Sequence, residues 1–272
     1  MTDPLQERGG TPAIAAERLN FLPAHNSEYL EPAYWEKRFQ QEDEYEWFKG
    51  FAEFRHLVLP HLLKEDRILI IGCGNSLMAM DLWREGYRDI TSVDLSQAVI
   101  SRMASRAAAK GMGGMKWLVA DMLNLQAFQS GAFDAVIEKG TMDVLFVDND
   151  SPWDPSPEVR DRVSRMLDEV HRVLKRDGVF LSITFAQPHF RRPLLLAERF
   201  TWSMEVETFG EGFHYFVYVL RKGARKASDK PMHFVRGQHE GAEIDAAGNP
   251  LMEESMMHEH MDDADYLLRI DS

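Results

Sequence analysis

The stretch "DRILIIGCGNSLMAMDLW", Asp66 to Trp83, decides the fold. A run of branched apolar residues, Ile68 to Ile71, stops at Gly72-Cys73-Gly74 and resumes at helical spacing. A buried parallel strand that passes into a helix across a ligand-binding turn has this pattern. Glycine there admits the backbone that the turn needs and lets a ligand approach the main chain. The dinucleotide fingerprint requires a third glycine at position 77, and Leu77 stands there instead.

Working outward, the same alternation continues. "DITSVD" (89–94) is a second strand, and "SQAVISRMASRAAAKG" (96–111) a helix opened by Ser96 and closed by Gly111. "MKWLVAD" (115–121) and "AFDAVIEKG" (132–140) follow as strands. "PEVRDRVSRMLDEVHRVLKRDG" (157–178) is a long helix and "VFLSITF" (179–185) the fifth strand. Strands alternating with helices predict parallel strands with right-handed crossovers, hence a Rossmann-like, doubly wound α/β sheet in three α-β-α layers. The end differs. "RFTWSMEVETFGEGFHYFVYVLRKG" (199–223) holds two strand-like runs joined by Gly210-Glu211-Gly212, an antiparallel hairpin that completes a mostly parallel, seven-stranded sheet. Upstream, Pro32 and the aromatic text after it predict a short helix with Tyr34, Trp35, Arg38 and Phe39, then another from Gly50 to Leu59.

Composition bounds the function. The 272 residues are 44% hydrophobic, ample for a core, and no apolar run is long enough to span a membrane. One cysteine, Cys73, allows neither an internal disulfide nor a cysteine metal cluster, and no secretory h-region is visible, so a cytoplasmic protein is expected. The net charge of −13 is concentrated at one end: residues 237–272 hold ten acids and one arginine, leaving −4 for the rest. This balance argues against an extended nucleic-acid footprint, which needs a basic face, and leaves a local basic groove open. The expected organisation is a flexible 1–30, a catalytic domain over 31–223 with an aromatic segment at 31–63, and an acidic, largely disordered tail over 224–272. A monomer is expected.

Three successive strands end in chemistry: Gly72 and Gly74, then Asp94, then Asp121. Asp94 lies 20 residues past Gly74, where a carboxylate accepts both ribose hydroxyls, an interaction of about 1.5–3 kcal/mol. Asp121 is surplus for a dinucleotide, but it suits the amino group of a single adenine, with Met122 as apolar contact. One adenosine without a pyrophosphate also accounts for Leu77, and the set favours S-adenosyl-L-methionine over NAD. Glu138 and Lys139 leave the fourth strand beside the place for the methionine part. No metal is required.

Assembled, these residues resemble a class I, seven-β-strand S-adenosylmethionine-dependent methyltransferase. "YWEKRF", "EYEWF", "DRILIIGCGNS", "SVDLS", "FDAVIEKGTMDVL", "PHFR" and "GFHYFVYVLRKG" are similar to the elongation factor 1-alpha lysine methyltransferase 4 type. The resemblance implies that Gly72 contacts the cofactor, Asp94 and Leu95 hold ribose, Asp121 and Met122 flank adenine, and Lys139 completes the site. It implies that Trp35, Phe39 and Tyr45 cover the cofactor, with Phe39 where a tyrosine is common. Ile70 and Ser76 depart from the generic glycine motif. The implied substrate is elongation factor 1-alpha. From the residues alone, the aromatic segment is equally ordinary packing.

A lysine nucleophile must be neutral, which from a pKa near 10.4 costs about 4 kcal/mol at neutral pH. Glu138 and Asp143 are the candidates to orient the departing proton. Another protein or a small molecule as acceptor stays open, as does a non-catalytic cofactor-binding module. His189 in "PHFRR" is either a base or a helix-start residue, and Trp153 in the "DNDSPWDPSP" loop an anchor or a core cover. His258, His260, Asp262 and Asp263 have metal-ligand composition but fit an acidic tail better.

Overall fold

In the computed structural model the described residues are 22–149 and 154–230. Seven strands form one sheet in the order β3-β2-β1-β4-β5-β7-β6. They are β1 (Arg67–Ile71), β2 (Asp89–Asp94), β3 (Lys116–Val119), β4 (Phe133–Lys139), β5 (Leu174–Thr184), β6 (Ser203–Phe209) and β7 (Tyr215–Arg221). The first five are parallel, and β7 runs antiparallel to both β5 and β6. The helices are α1 (Pro32–Gln41), α2 (Phe51–Val58), α3 (Met78–Arg84), α4 (Gln97–Ala109), α5 (Thr141–Val144), α6 (Pro157–Val173) and α7 (Pro188–Leu195). A mostly parallel sheet flanked by helices and closed by an antiparallel hairpin is the expected class.

Strand alternation divides the core. Leu69 and Ile71 of β1 join one cluster with Val136, Phe180, Trp202 and helix α6, while Ile68 and Ile70 point to the opposite face and are equally buried. Helix α6 contributes Val159, Val163, Met166, Leu167, Val170 and Val173 as one apolar stripe. At about 1.5–3 kcal/mol per buried side chain, this stripe alone stabilises by roughly 10 kcal/mol before the entropy of ordering is subtracted. Ser156 starts the helix by accepting the Val159 N–H at 3.3 Å.

Two boundaries differ from the expectation. Helix α6 stops at Val173, and Leu174–Gly178 belongs to β5, not to the helix. Leu174 pairs with Phe133, Lys175 bonds both Asp134 oxygens at 2.7 and 2.8 Å, and Asp177 takes a left-handed φ of 69° that restarts the strand. The charged run "LKRDG" has helical composition, but these tertiary partners override it. Strand β3 is shorter than expected, and Asp121 sits beyond it in a bridge to Asn124.

Past Gly223 the chain stays in defined contacts: Arg225 donates to the carbonyls of Leu196, Ala197 and Phe200 at 2.6–3.1 Å. The rest of the acidic tail, its His/Asp group, Trp153 and residues 1–21 lie outside the described residues. Among the described residues no group of metal-ligating side chains assembles, and no helix is long and apolar enough to cross a membrane.

Candidate functional site

The C-terminal ends of β1, β2 and β4, neighbours in the sheet, build the site. Gly72 and Gly74 have φ of 57° and 48°. A Cβ on Gly72 would lie 2.1 Å from the Thr141 methyl, and the Thr141 hydroxyl donates to the Gly72 carbonyl at 3.1 Å. The "EKGTMD" loop is thus keyed into the glycine turn. A Cβ on Gly74 would meet only the Phe39 ring, at 3.4 Å.

Asp94 is 8% exposed and held from both sides: Oδ2 accepts the Gly74 N–H at 2.9 Å and Oδ1 the Ser96 N–H at 3.0 Å. Burial raises its pKa and these N–H bonds oppose the rise. A carboxylate has about four acceptor positions, and with the Leu95 N–H also turned on it roughly one remains for a ligand. Next to it Leu95 is 43% exposed, a large apolar side chain turned to solvent. Asp121 accepts the Leu123 N–H at 2.8 Å, and Met122 packs on the core cluster.

The N-terminal segment is fastened over this edge. Trp35 and Phe39 stack with centroids 5.6 Å apart, and the Trp35 indole donates to the Tyr29 carbonyl at 2.7 Å. Tyr45 and Trp47 flank the Arg38 guanidinium, each ring centroid 5.1 Å away. Arg38 is buried, bonds Glu42 at 2.8 and 3.1 Å and Tyr34 at 3.0 Å, and these partners outweigh desolvation to raise its pKa. Asn75 of the glycine loop donates to the Glu42 carboxylate at 3.0 Å. Glu36 takes the Ser96 hydroxyl and the Ala98 N–H at the start of α4, and the Ser96 bond lowers its pKa.

Lys139 is buried. It donates to the Trp47 carbonyl at 2.7 Å and pairs with Glu46 at 3.1 Å. Glu46 also takes the Ser76 hydroxyl at 2.8 Å and the Leu77 N–H at 2.7 Å. Desolvation lowers the Lys139 pKa against the pull of Glu46. Glu36, Arg38, Glu42, Glu46, Trp47 and Thr141 received no role in the sequence. Glu36, Arg38, Glu46 and Trp47 lie in "YWEKRF" and "EYEWF", where acids alternate with aromatics, but that pattern does not say what they bond, and Glu42 and Thr141 lie outside both stretches.

Glu138 has no exposed surface. Oε2 accepts the N–H groups of Thr141 and Met142 at 3.0 and 3.1 Å, and Oε1 meets the Ser182 hydroxyl. Burial and then the nearby Asp143 push its pKa up to about 7. It shapes the loop, and both its oxygens face protein. Asp143 bonds Thr184 and Arg191. His189 is the second residue of α7, exposed, with its ring 3.8 Å from that of Phe190.

Residues 69–182 match a family model described as a methyltransferase domain. The EEF1A lysine methyltransferase 4 of Mus musculus is 40% identical over 205 residues, covering 74% of this chain and 79% of that protein. The chain belongs to the EEF1A lysine methyltransferase 4 family. As a member it is an S-adenosylmethionine-dependent methyltransferase. The eEF1A lysine and N-terminal methyltransferase of Bos taurus is 34% identical over 173 residues, 63% of this chain and 24% of that protein. Among solved structures, one titled for the conversion of a disulfide bond into a thioacetal group during echinomycin biosynthesis has a TM-score of 0.52. It is 18% identical and covers 74% of this methyltransferase and 95% of that chain, a likeness of fold alone.

Proposed function

We propose that this methyltransferase modifies a lysine side chain of elongation factor 1-alpha. The observation that carries the reading is the 40% identity to the EEF1A lysine methyltransferase 4 of Mus musculus over 79% of that protein's length. The cofactor supplies a methyl group on a sulfonium; the amine lone pair forms the N–C bond while the C–S electron pair stays on sulfur.

The residues of the site fit such a cofactor. Gly72 and Gly74 give the strand end a left-handed turn, and Asp94 is fixed beside it with an acceptor position left for ribose. Leu95 offers apolar surface for a base, with Asp121 and Met122 at the next strand end. Phe39 covers Gly74, with Trp35 stacked on it, and Tyr45 acts through Arg38 to hold this cover in place. Lys139 and Glu46 tie the cover to β4. Alignment of the amine and exclusion of water are the main contributions left to the protein.

Incubating the purified protein with S-adenosylmethionine and elongation factor 1-alpha, then mapping peptides by mass spectrometry, tests the reading. Methyl groups on a lysine support it. An unmodified factor, with cofactor turnover on another acceptor, overturns it.

A further inference from the structure

A buried ion pair on the β4–β5 side of the site has no part in the cofactor reading. Asp143 of α5 is 4% exposed and Arg191 of α7 is 3% exposed. Arg191 donates to Asp143 Oδ1 at 2.5 Å, and the Thr184 hydroxyl donates to the same oxygen at 2.6 Å. The guanidinium carbon lies 4.0 Å from the Phe146 ring centroid, which fixes its plane. The second carboxylate oxygen, Oδ2, is buried and has no hydrogen-bond partner among the described residues. Arg191 Nε of the same pair is also buried without a partner among the described residues. An unpaired buried acceptor is costly, so an arrangement that keeps one calls for a donor that the described residues do not supply. Asp143 sits two residues past Thr141, whose hydroxyl grips the Gly72 carbonyl, so its distance from the glycine turn is set by one short helix.

We propose that Arg191 is a positioning residue for methyl transfer, fixing Asp143 so that its free oxygen accepts an N–H of the incoming lysine amine. The inference rests on the lysine reading above. A lone buried carboxylate would favour the ammonium form of the substrate, which has no lone pair to attack with. The Asp143–Arg191 pair is neutral as a unit and still offers a directed acceptor. The ammonium proton leaves to solvent, and Asp143 gains none. Other titratable groups face the pair: Glu138 of β4 and the Tyr218 phenol of β7, on which Arg192 of α7 also acts. Tyr218 stays neutral because burial raises its pKa, and its hydroxyl bonds the Ala186 carbonyl at 2.6 Å. Glu138 feels both members of the pair, so its titration moves with each variant and is removed by repeating the profiles in a Glu138→Gln background.

The test compares wild type, Arg191→Met, Arg191→Lys and Asp143→Asn. Cofactor affinity is read by calorimetry, and kcat/KM on the protein substrate between about pH 6.5 and 10. Arg191→Met should keep cofactor affinity within about threefold, lose about thirtyfold in kcat/KM at neutral pH, and shift the rise of its pH profile up by about one unit. Arg191→Lys should recover part of both losses. Asp143→Asn should lose about thirtyfold in kcat without an upward shift. An unmoved profile in Arg191→Met, or cofactor affinity falling with activity, overturns the proposal. If Arg191→Met does not fold, the near-isosteric Asp143→Asn decides, and a loss below about threefold overturns it. A wild-type protein that methylates no lysine defeats the lysine reading itself, whereas an active wild type with indifferent variants defeats this inference alone.

Discussion

Glu46 and Lys139 face each other at 3.1 Å, joining the N-terminal aromatic segment to the end of β4. Lys139 is buried, so removing its partner strands a charge in a low-dielectric place. Breaking a buried pair from one side costs about 3–5 kcal/mol. Glu46→Ala should therefore destabilise the protein by about 3 kcal/mol in urea unfolding. Glu46→Gln, which keeps an acceptor for the Leu77 N–H, should cost roughly half as much. Equal and negligible losses would show that the pair does not fasten the segment.

The two glycines of the turn should respond differently. Gly72→Ala forces a Cβ to 2.1 Å from Thr141 at a positive φ, and should lower stability by more than about 2 kcal/mol in a thermal melt. Gly74→Ala meets only the Phe39 ring at 3.4 Å, so its stability loss should be near the backbone cost of about 1 kcal/mol. Its cofactor affinity, measured by calorimetry, should fall by more than tenfold, about 1.4 kcal/mol, because the added methyl occupies the ligand's approach. Similar melts for both variants would contradict this division.

Glu138 makes stability depend on pH. Its folded pKa, about 7, lies above its ordinary 4.5, so the folded state binds the proton more tightly than the unfolded state. The associated stability is fully present below pH 4.5 and is lost as pH rises through about 7. The shift corresponds to about 3 kcal/mol. Glu138→Gln can keep an acceptor for the Thr141 and Met142 N–H groups while removing the titration. Between about pH 5 and 8.5 the wild type should lose about 3 kcal/mol relative to this variant in chemical denaturation. Parallel profiles would show that Glu138 is not held in its protonated form.

The sheet and the strand-end residues were legible because they depend on local pattern. Branched apolar runs punctuated by glycine, and acids at fixed spacing after them, carry their meaning within a few dozen residues. Asp94, placed by its 20-residue spacing at a strand end beside the glycines, accepts the Gly74 N–H at 2.9 Å. The fastening of the N-terminal segment was not legible. Glu36 bonds Ser96 across 60 positions and Lys139 bonds Trp47 across 92, and no periodicity encodes such pairs. Asp143 and Arg191, 48 apart, belong to the same class. The "LKRDG" boundary failed for a related reason, since a strand that begins in charged residues gains its identity only from Phe133 and Asp134 beside it.

Asp94 also gives the ligand assignment its sharpest control. Asp94→Asn replaces an anion that takes two N–H bonds by an amide that can reproduce only part of them. Calorimetry should show at least about a hundredfold loss of S-adenosylmethionine affinity, from charge-assisted bonds of about 1.5–3 kcal/mol each. Binding equal to wild type would remove Asp94 from the ribose site.

The most direct test of the central claim is methyl transfer from labelled S-adenosylmethionine to a cell lysate, run in parallel with wild type and Asp94→Asn. The expected result is one dominant labelled protein, identified by mass as elongation factor 1-alpha methylated on lysine, and no label with the variant. Label appearing only in small molecules, or in no acceptor at all while the wild type binds the cofactor, would contradict it.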